Sequence, residues 1–356
     1  MSNLRGNKGE WSELYVLLKV LADGKIYGAD EFLNLREDIF YNILKVMRLE
    51  KKNGVFEYNR NLKNIQIVDI ENEISIEVDI SKFIYYSNFL FDEIKNIKGR
   101  EKNYITEIDS FLKSIKVNKL TADNSTKSDI TIQVRDSNTG SEPILDFSIK
   151  SQLGSPPTLL NASKATNFKY ELSEVLEFSE LKRINSIEGG PKFKLNELES
   201  KGISLEFKEC MNKNFQFNLQ MIDYEMPKIV ADALLYSNSK QVTKISDIFT
   251  DEHIEDKDDL CLYTHKFKQL LMNVALGMMP SKKWSGDDEA TGGYIVVKRD
   301  GDLACFHLYN RNSLKNYLFI SSKFESGSQS RHDFGKLYNE NGKTFFNLNL
   351  QIRFVS

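Results

Sequence analysis

The chain has 356 residues, of which 40% are hydrophobic and 28% are charged, and this is enough for two or three domains with their own cores. No apolar run reaches the roughly 18 residues that span a bilayer, and the N-terminus lacks the apolar segment of a secretory signal. A net charge of −3 is not the basic footprint of a protein that coats DNA, and it counts against a DNA-binding role without excluding one, because positive charge can still line a single cleft.

Three scattered cysteines argue against a disulfide framework and against a zinc site. They are Cys210, Cys261 and Cys305. We therefore expect a cytoplasmic protein from a reducing compartment, with no membrane partner.

A first helix is predicted from Gly9 to Leu21, because its leucines recur at three- and four-residue spacing and Gly24 can end it. Glu10 and Glu13 lie three residues apart on its first turn. They either serve a site or simply favour the positive end of the helix.

Residues 1–115, which include this helix, are expected to form a mainly helical N-terminal part that contributes the first core helix. A second helix is predicted from Ala29 to Leu49, with Lys45 and Arg48 on a solvated face near its end. Short strands are expected between residues 53 and 90, where apolar and polar residues alternate, before helical spacing returns.

The segment with the most chemistry begins at Asp129 and continues through a β-like run from Ile144 to Gln152. Side chains alternate across a strand, so Asp146, Ser148, Lys150 and Gln152 share one face. Acids hold Mg²⁺, and a lysine stabilises the attacking water or the charge on a phosphate, so this pattern suits phosphodiester hydrolysis. From the residues alone, the second acid beside Asp129 is either Glu13 or Asp146.

A loop of small polar residues follows the Gly-Ser-Pro-Pro break at residues 154–157. Asn161, Ser163 and Lys164 either contact phosphates there or belong to a plain surface loop. Residues 171–250 look mainly helical, and an acidic connector at residues 251–259 is a plausible boundary. Residues 116–250 are therefore expected to form the catalytic core.

The final part, residues 251–356, is expected to be β-rich. Asp300-Gly301 lies between two apolar runs and predicts a hairpin, and a last alternating strand runs from Leu348 to Phe354. Arg311, Arg331 and His332 lie in polar clusters between these strands; each is either a DNA contact or part of an exposed turn.

Three separated blocks, in this order, resemble the HpaII-type family of type II restriction endonucleases. They read NKGEWSELY at residues 7–15, FSIKSQLGS with LLNAS at residues 147–163, and SRHDFGK at residues 330–336. The resemblance implies an α/β (α+β) fold with a PD-(D/E)XK nuclease core, Mg²⁺ as cofactor and double-stranded DNA as substrate. HpaII-type enzymes act on CCGG, so that sequence is the expected target.

By the same resemblance, Asp129 takes the place of the motif aspartate and Lys150 that of the motif lysine. The position two residues before the lysine, which is normally acidic, is Ser148. The second carboxylate is then expected from Glu13, with Asp146 as the alternative, and Glu10 is less favoured. Gln152 is expected to support the site from the same strand face.

Base recognition is expected from Arg311, Arg331 and His332, because a bidentate arginine reads O6 and N7 of guanine in the major groove. A palindromic site cut on both strands favours a homodimer, although a monomer nicking twice is an alternative. Two other functions stay open: a non-catalytic DNA-binding protein on a nuclease fold, and a repair or junction nuclease.

Overall fold

The structure is a computed structural model that describes residues 4–50, 54–99, 101–122, 128–137 and 139–355. The chain forms two compact units. The first comprises Met1–Pro157 and Asp288–Tyr317, and the second comprises Thr158–Asp287 and Leu318–Ser356.

Eighteen strands lie within the described ranges. They are β1 (Arg5–Gly6), β2 (Lys25–Ala29), β3 (Leu35–Glu50), β4 (Gly54–Arg60), β5 (Asn64–Asp69), β6 (Ile74–Asp79), β7 (Asn103–Tyr104), β8 (Ile130–Asp136), β9 (Ile144–Ser151), β10 (Thr158–Leu160), β11 (Asn167–Leu172), β12 (Leu205–Cys210), β13 (Gly293–Val297), β14 (Leu303–His307), β15 (Ser322–Phe324), β16 (Leu337–Glu340), β17 (Lys343–Asn349) and β18 (Ile352–Phe354).

Eleven α-helices lie in the same ranges. They are α1 (Lys8–Asp23), α2 (Ile80–Asn96), α3 (Asp109–Ser114), α4 (Phe178–Asn185), α5 (Pro191–Ser200), α6 (Lys213–Ile222), α7 (Met226–Lys240), α8 (Ile245–Ile248), α9 (Lys257–Leu276), α10 (Arg311–Ser321) and α11 (Gln329–His332). None of these helices is long and apolar enough to cross a membrane.

The first unit is built on a nine-stranded mixed sheet in the order β2-β14-β13-β9-β8-β3-β4-β5-β6. β2 also pairs with β3, so the six strands from β2 to β3 close into a barrel-like sheet. The hairpin β8–β9 is antiparallel, and β13 runs parallel to β9 on its other side. The hairpin that carries the expected catalytic residues is therefore central in the closed part of this sheet.

Helix α1 covers the core of the first unit. Asn7 caps its N-terminus, and Gly24 ends it in the left-handed conformation, as the sequence predicts. Its buried stripe includes Trp11, Leu14 and Leu18 and packs into one cluster with residues of the sheet and of α2. The predicted first helix is confirmed.

The helix predicted from Ala29 to Leu49 is wrong, since this segment contains the 16-residue strand β3. Tyr41 and Ile43 are buried on alternate positions, and a register shift before Lys45 resets the alternation to Val46, Arg48 and Glu50. The irregularity hides the two-residue period of a strand. The expectation of a mainly helical N-terminal part is wrong for the same reason, since the five strands β2 to β6 lie between helices α1 and α2 in the described part of residues 1–115.

The second unit has two antiparallel sheets, in the orders β12-β11-β17-β16 and β10-β18-β15, together with helices α5, α6, α7 and α9. Residues 171–250 are mainly helical, as predicted. The last predicted strand is instead split, because β17 ends at Asn349 and β18 begins at Ile352 in the other sheet.

The C-terminal residues from 251 onward are mixed rather than β-rich, since they include the 20-residue helix α9 as well as six strands. The predicted hairpin at Asp300-Gly301 is confirmed as β13–β14. The compact units break after residues 157, 287 and 317, and the first break follows the Pro156-Pro157 pair. The division into parts 1–115, 116–250 and 251–356 follows different boundaries and stays a prediction.

Candidate active site

Asp129 lies directly before β8 and is tied to β9 by three hydrogen bonds. Its main-chain N–H donates to the carbonyl oxygen of Phe147 at 2.9 Å. Its Oδ2 accepts from the main-chain N–H of Ile149 at 2.6 Å and from Oγ of Ser148 at 3.2 Å. The carboxylate is therefore held at the end of the hairpin by groups of the neighbouring strand.

Lys150 lies on β9, two residues beyond Ser148 and on the same strand face. It is half-buried, and its Nζ lies 6.0 Å from the centre of the Tyr294 ring. The strand thus carries the ammonium group toward the end of the hairpin at which Asp129 lies.

Glu13 reaches this place from α1. The hydroxyl of the preceding residue, Ser12, hydrogen-bonds to that of Ser151 at 2.9 Å and joins the helix to β9. Burial raises the pKa of Glu13 to about 8, and the carboxylate of Asp129 adds to the rise, whereas the Lys150 ammonium acts in the opposite direction. Glu13, Asp129 and Lys150 therefore interact directly through their charges.

Glu10 has a different position and a different task. Its Oε2 accepts a 2.8 Å hydrogen bond from the main-chain N–H of Asn7, whose side chain in turn caps the helix. Its Oε1 lies 3.3 Å from Nζ of Lys102. This reciprocal capping is a structural role.

Asp146 shares the strand face of Ser148 but is held by hydroxyl groups. Its Oδ1 accepts from Oγ1 of Thr131 at 2.6 Å and from Oγ of Ser128 at 3.4 Å. Gln152 follows the end of β9, and its main-chain N–H donates to the carbonyl of Val297 at 2.9 Å. The hydroxyl groups leave Asp146 less free than Glu13 to bind a cation.

The carboxylates present fit a magnesium ion rather than a metal held entirely by protein. Within the described ranges, no three or more His, Cys, Asp or Glu side chains are grouped closely enough to hold a metal. Mg²⁺ needs less, since it keeps several waters and is bound by one or two carboxylates plus substrate phosphates. Burial is the main cause of the raised pKa of Glu13, and the Asp129 carboxylate adds to it; a divalent cation at this place would stabilise both carboxylates in their charged form.

Residues expected to contact DNA come together in the second unit from two distant segments. Ser163 caps a 3₁₀ turn formed by Lys164–Thr166, and Arg331 and His332 end the short helix α11. Asn167, directly after the turn, donates from its side chain to the carbonyl of His332 at 2.8 Å. We call residues 161–164 and 329–333 the paired-loop surface.

The paired-loop surface offers exposed polar and cationic groups. Asn161, Lys164 and Arg331 are exposed, and Nζ of Lys164 lies 4.0 Å from the carboxylate of Asp333. The side chain of Asn349 donates to the main-chain carbonyl of Ser163 and so helps to fix the conformation of the loop. This arrangement is the kind that contacts a phosphate backbone and base edges together.

Arg311 does not belong to this surface. It begins α10 in the first unit, and its guanidinium donates to the carboxylate of Asp288 at 2.9 Å. That ion pair gives Arg311 a protein partner.

The similarity to known proteins extends over nearly the whole chain. The family model described as HpaII restriction endonuclease matches residues 7–354. The chain is also 45% identical over 359 residues to the type II restriction enzyme HpaII of Haemophilus parainfluenzae, with 98% of each chain covered. The chain belongs to the HpaII restriction endonuclease family.

Membership in the HpaII restriction endonuclease family confirms the family expected from the sequence and its class of activity, since a restriction endonuclease is a deoxyribonuclease that binds DNA. No solved structure matches the chain. The roles of individual residues therefore depend on the geometry given above.

Sequence reasoning missed two features of the site. Ser148, which stands where an acid was expected, is buried and donates to Asp129. Arg48, expected on a solvated helix face, is buried in β3 and pairs with Glu50 at 3.1 Å. Its positive charge opposes part of the rise in the pKa of Glu13. The pairing of Arg48 with Glu50 at alternate positions was the available signal, and the wrong helix assignment concealed it.

Proposed function

We propose that this member of the HpaII family is a Mg²⁺-dependent type II endonuclease that hydrolyses both strands of DNA within CCGG. The observation that carries the proposal is the meeting of Glu13, Asp129 and Lys150 at one end of the hairpin β8–β9. We infer that this hairpin and α1 form a PD-(D/E)XK core in which a serine occupies the second acidic position.

In this core, Asp129 and Glu13 would hold Mg²⁺. The bound cation supplies charge neutralisation at the scissile phosphate and lowers the pKa of a bound water. Ser148 and the N–H of Ile149 hold the Asp129 carboxylate in position through hydrogen bonds. Glu13 would release its proton to solvent on binding Mg²⁺ and would hold the ion as a carboxylate.

Lys150 would act as the positive group of the reaction. Its ammonium contacts the attacking water and the non-bridging phosphate oxygens, and it stabilises the charge that grows on the phosphorus centre. Gln152 would support the same strand face. Asp146 would keep its hydrogen bond from Thr131, which links β8 to β9, and would not bind the cation.

Recognition of the bases is assigned to the paired-loop surface. Arg331 would donate to O6 and N7 of a guanine, with His332 beside it. Asn161, Ser163 and Lys164 would contact phosphates and fix the register of the protein on DNA. Arg311 is the alternative reader, and would first have to leave Asp288.

A two-fold symmetric target is served most simply by a two-fold symmetric protein, so we propose that a homodimer cuts the two strands. Light scattering with and without a CCGG duplex measures the stoichiometry. Two protein chains per duplex support the dimer, and one chain per duplex points to a monomer that nicks twice.

The function is tested by digesting plasmid DNA of known sequence with Mg²⁺ or with EDTA and sequencing the fragment ends. Ends confined to CCGG, and formed only with Mg²⁺, support the proposal. Selective binding of intact DNA would indicate a non-catalytic DNA-binding protein, and a preference for branched over linear duplexes would indicate a junction nuclease. Either result contradicts the proposal.

A further inference from the structure

Tyr294 occupies the strand next to the candidate site. It lies on β13, in register with Ser148 of β9, and Ser148 in turn donates to Asp129. The three residues form a row across strands β13, β9 and the start of β8. The ring of Tyr294 also has the Lys150 ammonium 6.0 Å from its centre, which is the outer limit of a cation–π contact.

The hydroxyl of Tyr294 is buried and has no hydrogen-bond partner among the residues that the structure describes. Two other fully buried tyrosines among the described residues do have one. The hydroxyl of Tyr58 donates to the carbonyl of Ile115 at 2.9 Å, and that of Tyr170 donates to the carbonyl of Ala231 at 2.8 Å. An unpaired buried hydroxyl is costly, and where a protein keeps one it calls for a functional reason.

The charge of Asp129 connects this hydroxyl to the site. Burial raises the pKa of Tyr294 well above its ordinary value, and the nearby Tyr317 and Asp129 add to the rise. A tyrosine hydroxyl keeps its proton at neutral pH even at its ordinary pKa of about 10, and this shift acts in the same direction. It is a donor, and Asp129 is a negative acceptor near it.

We propose that Tyr294 is a positioning residue of the cleavage site: its ring supports the Lys150 ammonium, and its hydroxyl donates to the Asp129 carboxylate once DNA and the divalent cation are bound. This inference rests on the proposed function. It explains why an unpaired hydroxyl is kept beside a serine that already donates to the same carboxylate. Tyr294 acts through Lys150 and Asp129 and does not touch the substrate.

The test compares Tyr294→Phe with Tyr58→Phe, a matched loss of one buried tyrosine hydroxyl. Thermal unfolding in EDTA should show an unchanged or higher midpoint for Tyr294→Phe, because the lost hydroxyl has no partner, and a lower midpoint for Tyr58→Phe. Cleavage measured at a temperature well below both unfolding midpoints should instead be impaired in Tyr294→Phe and unchanged in Tyr58→Phe. Tyr294→Phe should lower kcat about tenfold with an unchanged KM and a higher Mg²⁺ requirement, whereas Tyr58→Phe should keep wild-type kinetics.

A second variant, Tyr294→Leu, removes the ring as well. It should lower kcat further than Tyr294→Phe, because Lys150 also loses its support. The inference is overturned if Tyr294→Phe cuts with wild-type kcat and Mg²⁺ dependence, or if it loses stability and activity together as a purely structural change would. An inactive wild-type protein contradicts the proposed function itself, whereas an active wild type with a fully active Tyr294→Phe contradicts this inference alone.

Discussion

Asp129 accepts a 2.6 Å hydrogen bond from the main-chain N–H of Ile149, the residue directly before Lys150. A main-chain donor cannot rotate away, so the carboxylate is fixed relative to the strand that carries the lysine. Glu13 approaches from α1, which is joined to the same strand through Ser12 and Ser151. The site is therefore assembled by one strand that two other elements contact.

The raised pKa of Glu13 predicts a pH-dependent requirement for Mg²⁺. Below about pH 8 the cation must displace one proton, so the Mg²⁺ concentration for half-maximal cleavage should fall about tenfold per pH unit as the pH rises from 6, and should level off above 8. Titrations of cleavage rate with Mg²⁺ at fixed pH values measure this. A requirement that does not change between pH 6 and 9 would remove Glu13 from the metal site.

The same shift has a consequence for stability. The pKa of Glu13 in the folded, metal-free protein lies above its ordinary value of 4.5, so its stabilising contribution is complete below about pH 4.5 and is lost as the pH rises through 8. Glu13→Gln should remove this part of the pH dependence. Urea unfolding in EDTA at pH 5, 7 and 9 measures this. Between pH 5 and pH 9 the free energy of unfolding should fall less for the variant than for the wild type.

Ser148 is expected to matter through Asp129. Ser148→Ala removes one of the donors to the carboxylate and should lower kcat several-fold and raise the Mg²⁺ requirement, since a net hydrogen bond is worth about 1 kcal/mol. The matched control is Thr131→Val, which removes the donor to Asp146 instead. Equal Mg²⁺ requirements in Ser148→Ala and wild type would contradict this role.

Glu10 and Glu13 should separate cleanly in their effects. Glu10→Ala breaks the capping box and should lower the free energy of unfolding by about 1 kcal/mol while leaving cleavage within a few-fold of wild type. Glu13→Gln should strongly lower the cleavage rate and leave the free energy of unfolding close to that of the wild type. Chemical denaturation and cleavage assays on both variants measure this, and an inactive but stable Glu10→Ala would exchange the two roles.

The sequence predicted the local features of the site well. Asn7, the leucine stripe and Gly24 define α1, and the alternation from Asp146 to Lys150 defines β9. It failed where distant contacts decide, because β3 pairs with β2, β4 and β8 along its length and the register shift interrupts its period. The residues alone left Glu13 and Asp146 open and the family resemblance favoured Glu13; the structure adds the spatial neighbours, with Glu13 beside Asp129 and Asp146 bound by Thr131.

The paired-loop surface predicts which arginine reads bases. Arg331→Ala should reduce the preference for CCGG over a site with one changed guanine by about 10- to 100-fold, because a bidentate arginine contributes about 1–3 kcal/mol of discrimination. Arg183→Ala is the control, since this exposed arginine is paired with Glu180 and Glu197. If Arg331→Ala keeps its full preference, Arg311 becomes the candidate to test.

The most direct test of the central claim is single-turnover cleavage of a CCGG plasmid in saturating Mg²⁺ by four variants. Asp129→Asn, Glu13→Gln and Lys150→Met should each lose on the order of a hundredfold or more in rate, whereas Asp146→Asn should stay within about tenfold of wild type. Rapid cleavage by Asp129→Asn, or an inactive Asp146→Asn alongside a fully active Glu13→Gln, would contradict the site described above.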